Sequence, residues 1–327
     1  MARRNNSLLS PIQTVEPQTQ QITFDQAVRS FILHNRAKNL SPNSLEFYEY
    51  NLHYMQKVFQ EQNIPLDYRN ITGKQIKQHF TSYMLDKGLA SNTINGRLKS
   101  CKAFFTYLYE EKMTAHNVSE QFDLVIAEKK MIQTLTKEQV ILLLNQPDRN
   151  TFSGLRDYTL MMVLLETGMR IGECIALEID DVNLKECEIR IKMGKGRKAR
   201  RVPIQKTCVQ VLKSYLAERG ELETKALFVN IDNKPLHRRT IQENIQEYGK
   251  AAQITSARVS PHTFRHTMAK FYIINGGDIF TLQQILGHSS LEMVRYYVEL
   301  FSTDIHQQHQ KYSPVENMGL TRKSKRG

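Results

Sequence analysis

Residues 260–267 read SPHTFRHT, and residues 285–297 read ILGHSSLEMVRYY. In both stretches polar, chemically capable side chains interrupt an apolar pattern. Pro261 breaks the chain just before His262, Arg265 and His266; Gly287 directly precedes His288; two adjacent tyrosines, Tyr296 and Tyr297, follow. Upstream lie two similar places. ETGMRIGE (166–173) sets Arg170 directly after a helix break at Gly168, with Glu173 three residues on. GKGRK (194–198) puts Lys195 and Lys198 between or beside glycines that suit a tight turn.

The surrounding pattern predicts a mainly α chain with a small antiparallel β-sheet. FDQAVRSFILHNRAK (24–38) has Phe24, Ala27, Phe31 and Ile32 at helical spacing. Ser41 before Pro42 reads as an N-cap with proline at the first helical position. The helix it opens carries Leu45, Tyr48, Leu52, Met55 and Phe59 on one face. A third helix from Thr72 has Ile76, Phe80, Tyr83 and Met84 as its stripe, and a fourth from Ser91 has Ile94, Leu98, Cys101, Phe105 and Leu108. Four helices and no good strand are therefore expected from 22 to 113. Arg97, Lys99 and Lys102 interleave with the last stripe, and two readings stand level there: a face contacting phosphates or a solvated polar face.

Residues 114–134 lose periodicity and read as a linker. Thr136 and Gln139 form a capping-box pattern for a new helix. Residues 153–167 form another, with Leu155, Tyr158, Met162 and Leu165 along one side. CEIRIK (187–192) and ARRVPI (199–204) alternate like strands on either side of the glycine-rich turn. Helices return after Pro203, with breaks at Pro261 and Gly276–Gly277. The expected organisation is a polar arm at 1–21, a helical unit at 22–113, the linker at 114–134, a second domain at 135–314 and a basic tail at 315–327.

Composition narrows the function. The chain has 327 residues, 45 Lys+Arg against 33 Asp+Glu, and a net charge of +12. That charge points to a polyanionic partner, with nucleic acid foremost because neutralising phosphates releases condensed counterions. No run of about 18 apolar residues occurs, so a membrane span is not expected. The N-terminal stretch has no apolar h-region, so neither is a secretory signal. Cys101, Cys174, Cys187 and Cys208 form no CxxC pair, which argues against structural zinc and suits a reducing cytoplasm.

Taken singly, each polar group has a bland explanation. An arginine behind a helix end is commonly a capping or salt-bridging residue, and Glu173 is its natural partner. A GKGRKARR run is commonly a solvated turn. His262 and His266 stand at metal-ligand spacing, but the residue after the first histidine is Thr263 rather than the glutamate of HExxH, so no metal is expected and His266 reads as a packing or hydrogen-bonding side chain. Together the groups describe something else: two arginines, a lysine and two histidines with no carboxylate pair. Such a pocket suits the oxygens of a phosphoryl transition state. A tyrosine hydroxyl beside it can attack phosphorus, with histidine and lysine moving protons, and neither metal nor cofactor is required.

Arg170, Lys195, His262-x-x-Arg265, Leu286-Gly287-His288 and Tyr297, in that order, resemble the signature of the tyrosine recombinases, the phage-integrase family that includes the bacterial Xer enzymes. The words around them, ETGMRIGE, GKGRKARRVPI, SPHTFRHT and ILGHSS, also match. In that family the nucleophile lies nine residues after the second histidine, which favours Tyr297 over Tyr296. Lys198 stays a runner-up to Lys195 on the same turn. The resemblance implies a core-binding SAM-like domain at 22–113 and a catalytic domain at 135–314, clamping DNA between them. It implies that Arg170 and Arg265 hold the scissile phosphate and Tyr297 attacks it, giving a 3′-phosphotyrosine. Lys195 would protonate the leaving 5′-oxygen, His262 would assist proton transfer, and His288 would bond a phosphate oxygen. It further implies double-stranded DNA with specific sites as substrate and a homotetramer on two sites, or assembly with a paralogous recombinase. Phe301, Ile305 and Tyr312 would anchor a C-terminal segment on a neighbour. The expected setting is the bacterial cytoplasm at the nucleoid, and the expected roles are integration or excision of mobile DNA or chromosome-dimer resolution. Two rivals share features with this reading: a non-catalytic DNA-binding protein of the same fold, and a topoisomerase or telomere resolvase of the same chemistry.

Overall fold

The computed structural model describes residues 22–127, 132–192, 199–287, Tyr297, His309 and 313–318. The chain divides into two compact units, Met1–Lys130 and Met131–Gly327.

The first unit is helical. Helix α1 (Phe24–Ala37) opens on Thr23, whose hydroxyl accepts the Gln26 N–H while the Gln26 side chain accepts the Thr23 N–H. Helix α2 (Pro42–Glu61) opens on the expected Ser41 cap with proline first. The third helical stretch starts at Thr72 with the same reciprocal cap and runs through α3 (Gly73–Gln75), a π-helical segment (Ile76–Thr81) and α4 (Ser82–Asp86). Helix α5 (Ser91–Glu110) completes the set; its N-cap is Ala90, and no side chain caps it. The stripes converge on one core in which Leu52, Met55, Phe59, Phe80, Leu98, Phe104 and Phe105 are fully buried. Each such side chain contributes about 1.5–3 kcal/mol by leaving water.

Two expectations change in this unit. Part of the stretch read as linker is packed: Val118 and Phe122 are buried in the core, and Asn95 exchanges two 2.8 Å hydrogen bonds with the backbone of Val125. Two isolated apolar residues make no periodicity, so only tertiary contact reveals them. The interleaved cations of α5 also differ from one another. Arg97 is 8% exposed and lies 3.3 Å over the Tyr54 ring, a cation–π contact, with Nη1 buried and without a hydrogen-bond partner. Lys102 donates to the Ser119 carbonyl at 2.5 Å and sits over Phe122. Only Lys99 is solvated.

The second unit is built on helix α7 (Phe152–Thr167), which follows α6 (Lys137–Leu144) and its Thr136–Gln139 capping box. After α7 come the short α8 (Ile171–Ile175) and three antiparallel strands in the order β1 (Val182–Asn183), β2 (Glu188–Ile191), β3 (Arg200–Pro203). Ile189 pairs with Val202 and Ile191 with Arg200. The pleat buries Ile189, Ile191 and Val202 and leaves Arg190 and Arg201 outside. Helices α9 (Lys206–Arg219), α10 (Arg238–Ala251), α11 (Pro261–Ile274) and α12 (Ile279–Leu286) follow. Helix α7 packs against both α9 and α11. That arrangement brings the end of α7 beside the start of α11, where the polar residues of the two motifs lie.

Candidate active site

The site begins where α7 stops. Gly168 takes a left-handed conformation, φ +59°, and a β-carbon there would come within 2.6 Å of Leu286. The reversal buries Met169 and delivers Arg170 to the N-cap of α8. The Arg170 backbone N–H donates to Glu173 Oε2 at 2.9 Å, and its Nη1 donates to Oε1 at 3.1 Å. Glu173 is thus the structural partner anticipated for it.

Glu173 also holds Arg200 from strand β3, which donates to both carboxylate oxygens at 2.9 and 3.2 Å and, through Nε, to the Ile285 carbonyl at 2.8 Å. Arg200 therefore joins the strand, α8 and the end of α12. Burial alone would raise the Glu173 carboxyl, but Arg200, the Arg170 N–H and the two guanidinium charges override it and hold the group below the ordinary carboxylate range. Arg200 was not among the residues expected in the site. A signal was available: in ARRVPI the period of two puts Arg200 on the same face as the buried Val202, a place where an unpartnered arginine would be costly.

Arg265 projects from α11 and is 5% exposed. Its Nη1 donates to the Gly168 carbonyl at 2.6 Å and its Nη2 to the Leu286 carbonyl at 2.9 Å. It thus ties the segment leading to Arg170 to the segment leading to His288. Burial, followed by the charge of Arg170, pushes its pKa down to about 10, so it stays cationic at neutral pH. His262, one turn earlier on α11, is solvent-exposed. Its imidazole is held below the ordinary histidine range by partial loss of solvation on its protein-facing side and by the charges of Arg238, Arg265 and Arg170. Arg238, at the first position of α10, is a further cation near the site that the motifs did not bring out.

Tyr297 is fully buried, packed in a cluster with Met268, Ala269, Ile273, Leu282 and Leu286. Its hydroxyl and His266 Nδ1 are hydrogen-bonded at 2.6 Å. Burial pushes the phenol up, against the opposing charge of Arg265. Burial also pushes His266 down to about 4, helped by His262 and Arg265, so its ring is neutral at pH 7. His266 is the hydrogen-bonding histidine expected, and its partner is the tyrosine that the motif spacing favours.

Of the six expected site residues, Arg170, His262, Arg265 and Tyr297 come together around the junction of α7, α8, α11 and α12. Lys195 and His288 lie outside the described residues, as do Lys198, Tyr296, Phe301, Ile305 and Tyr312. Gly287, just before His288, is left-handed at φ +64°, and a β-carbon there would meet the Arg200 guanidinium at 2.9 Å. Among the described residues, three guanidinium groups, Arg170, Arg200 and Arg265, face one carboxylate, Glu173. That excess of fixed, preorganised positive charge suits an anion carrying charge on several oxygens.

Comparison with known proteins finds one family match in each unit. The phage integrase family matches residues 133–303, and the N-terminal SAM-like domain of phage integrases matches residues 31–112. The tyrosine recombinase XerD of Staphylococcus haemolyticus is 33% identical over 282 residues, covering 85% of this chain and 94% of the relative. The XerD of Staphylococcus epidermidis is 31% identical over the same share. Among solved structures, the Tn1549 transposon integrase in complex with a circular intermediate DNA superposes with a TM-score of 0.73 at 18% identity, covering 89% of this chain and 98% of that one. A lambda integrase dimer bound to a core site gives 0.69 at 16% identity, covering 84% and 95%. These two share the fold.

Proposed function

The chain belongs to the phage integrase family of tyrosine recombinases, and from that membership we propose how its residues cut and rejoin DNA. The enzyme is a site-specific DNA recombinase. In the proposed reaction Arg170 and Arg265 hold the non-bridging oxygens of the scissile phosphate of duplex DNA. Tyr297 attacks phosphorus and forms a 3′-phosphotyrosine. Lys195 protonates the departing 5′-oxygen, His262 assists proton transfer, and His288 donates to a phosphate oxygen. The 5′-hydroxyl of a partner strand then reverses the attack. The bond energy is kept in the phosphotyrosine, so no nucleotide is spent, and arginine charge takes the place of a metal.

The observation that carries this reading is the environment of Arg265. A buried guanidinium bonded to two main-chain carbonyls, with the charge of Arg170 and the Tyr297 phenol near it, suits an anion carrying charge on several oxygens. A catalytically silent DNA-binding protein would have no use for a fully buried tyrosine whose hydroxyl meets a neutral histidine beside that guanidinium.

We further propose that the enzyme works as a tetramer on two duplex sites, alone or with a paralogous recombinase, in a bacterial cytoplasm at the nucleoid. A core-binding unit at 22–113 and a catalytic domain at 135–314 are the proposed working divisions.

The test is a nicked suicide duplex carrying the recombination site, followed by denaturing gel electrophoresis. The expected product is a covalent protein–DNA adduct that forms in EDTA. Tyr297→Phe should bind the duplex normally and form no adduct, whereas Tyr296→Phe should form one. An adduct that persists in Tyr297→Phe and vanishes in Tyr296→Phe would overturn the assignment of the nucleophile.

A further inference from the structure

Attack by Tyr297 requires its phenolic proton to go somewhere, and the burial that raises the phenol makes a free phenolate unfavourable before the O–P bond forms. The proton must therefore leave as the bond is made, to an acceptor already in hydrogen-bond range. His266 Nδ1 is at 2.6 Å from the tyrosine oxygen, and the ring is held in place by helix α11, one residue after Arg265. The two rings lie with centroids 5.7 Å apart and planes at 57°, tilted rather than stacked.

We propose that His266, rather than serving as a packing residue, is the catalytic base for Tyr297. The inference rests on the reading of Tyr297 as nucleophile and deepens it. In the ground state the neutral imidazole carries its proton on Nε2 and accepts the tyrosine O–H at Nδ1. During cleavage the O–H bond breaks and its proton passes to Nδ1. The tyrosine oxygen bonds to phosphorus, the P–O5′ bond breaks, and the 5′-oxygen takes its proton from the proposed acid, Lys195. During rejoining the imidazolium returns the proton to the departing tyrosine oxygen, so no group ends changed.

The surroundings also make this base respond to substrate. Burial is the first cause that weakens His266 as a base, and the charges of His262 and Arg265, on the same helix, add to it. A phosphate seated on Arg265 offsets the charge part of that effect and so favours proton transfer to Nδ1.

The experiment compares wild type, His266→Phe and His266→Asn on the suicide duplex, with tyrosine or a difluorotyrosine installed at position 297 alone. Loss of a general base slows cleavage by about 10²–10⁴-fold, so both variants should lose that much while binding the duplex as wild type does. Asparagine keeps a hydrogen-bond acceptor without basicity, so its failure separates proton transfer from mere holding. Fluorination lowers the phenol pKa and relieves the need for a base. The variants should then regain about tenfold or more, while the wild type changes by less than about threefold, as Brønsted behaviour requires. Wild-type rates in His266→Asn, or a defect in both variants that fluorotyrosine leaves untouched, would overturn the proposal. Absence of any adduct in the wild type would instead overturn the nucleophile reading on which it rests.

Discussion

Two buried arginines of the second unit, Arg156 and Arg265, are solved in opposite ways. Arg156, on α7, is 4% exposed and donates through Nε to Asp157, 1% exposed, at 2.8 Å. Asp157 is further satisfied by the Asn244 amide at 2.8 Å and the Tyr248 hydroxyl at 3.0 Å, and Arg156 also reaches the Val229 carbonyl. Charge and hydrogen bonds balance inside the protein. Arg265, equally buried, bonds to backbone carbonyls, and the carboxylate near it is shared between Arg170 and Arg200. The first arrangement needs nothing from outside. Among the described residues, the second gathers three guanidinium groups around one carboxylate. Burial and carbonyl bonding do not by themselves set Arg265 apart, since Arg219, also buried, is held by the Gly220, Thr224 and Ala226 carbonyls; the nearby Arg170 and Tyr297 do.

The sharpest way to break this comparison is to truncate both arginines. Arg156→Ala strands Asp157 as an unpaired buried charge and should cost about 3–5 kcal/mol, read as a lower denaturant midpoint of the second unit. Arg265→Ala removes the donor of two main-chain carbonyls and should cost less, about 1–3 kcal/mol, yet slow suicide-substrate cleavage by at least about 10²-fold, the loss expected for one preorganised donor. If Arg265→Ala proved the more destabilising of the two, its charge would be serving the fold.

Gly168 gives a smaller effect of mixed kind. Its carbonyl is an acceptor for Arg265, its φ is +59°, and an added β-carbon would press on Leu286. Gly168→Ala should cost about 1–3 kcal/mol and should also slow cleavage, because the Arg265 anchor shifts with the backbone. A stability loss with cleavage intact would show that the carbonyl contact does not position Arg265.

The smallest effect expected is in acid. Glu173 is held below its ordinary range in the folded chain. Its contribution is therefore complete above the unfolded value, about 4.3, and is lost as pH falls through the lower folded value. Stability from pH 7 to 5 should be flat with respect to this group and decline only below that. Glu173→Gln should remove this part of the acid-limb slope, measured as the difference between the two proteins' denaturant midpoints across pH. An unchanged slope would mean that the arginines do not depend on its charge.

Much of this was readable before any coordinates. The stripes Phe24–Ala27–Phe31, Leu52–Met55–Phe59 and Ile94–Leu98–Cys101–Phe105–Leu108 became the buried faces of their helices, and the Ser41, Thr136 and Gly168 boundaries stand where capping chemistry put them. Where side chains were judged by local pattern alone, the reading failed. Arg97 and Lys102 were weighed only as outward-facing cations, but one is buried on Tyr54 and the other is tied to Ser119. Val118 and Phe122 sat in a stretch taken for linker.

By itself the sequence determined what repeats with the backbone. Period and capping set the helices, alternation set the hairpin strands, and motif order singled out Arg170, His262, Arg265 and Tyr297, which the fold brings to one junction. Tertiary structure alone decided which polar groups meet: Arg265 with the carbonyls of Gly168 and Leu286, Arg200 with Glu173, and His266 with Tyr297. The reason is range. Helix and strand patterns arise from neighbours within a few residues, whereas these pairs are separated by 97, 21, 27 and 31 positions and form only when packed elements bring them together.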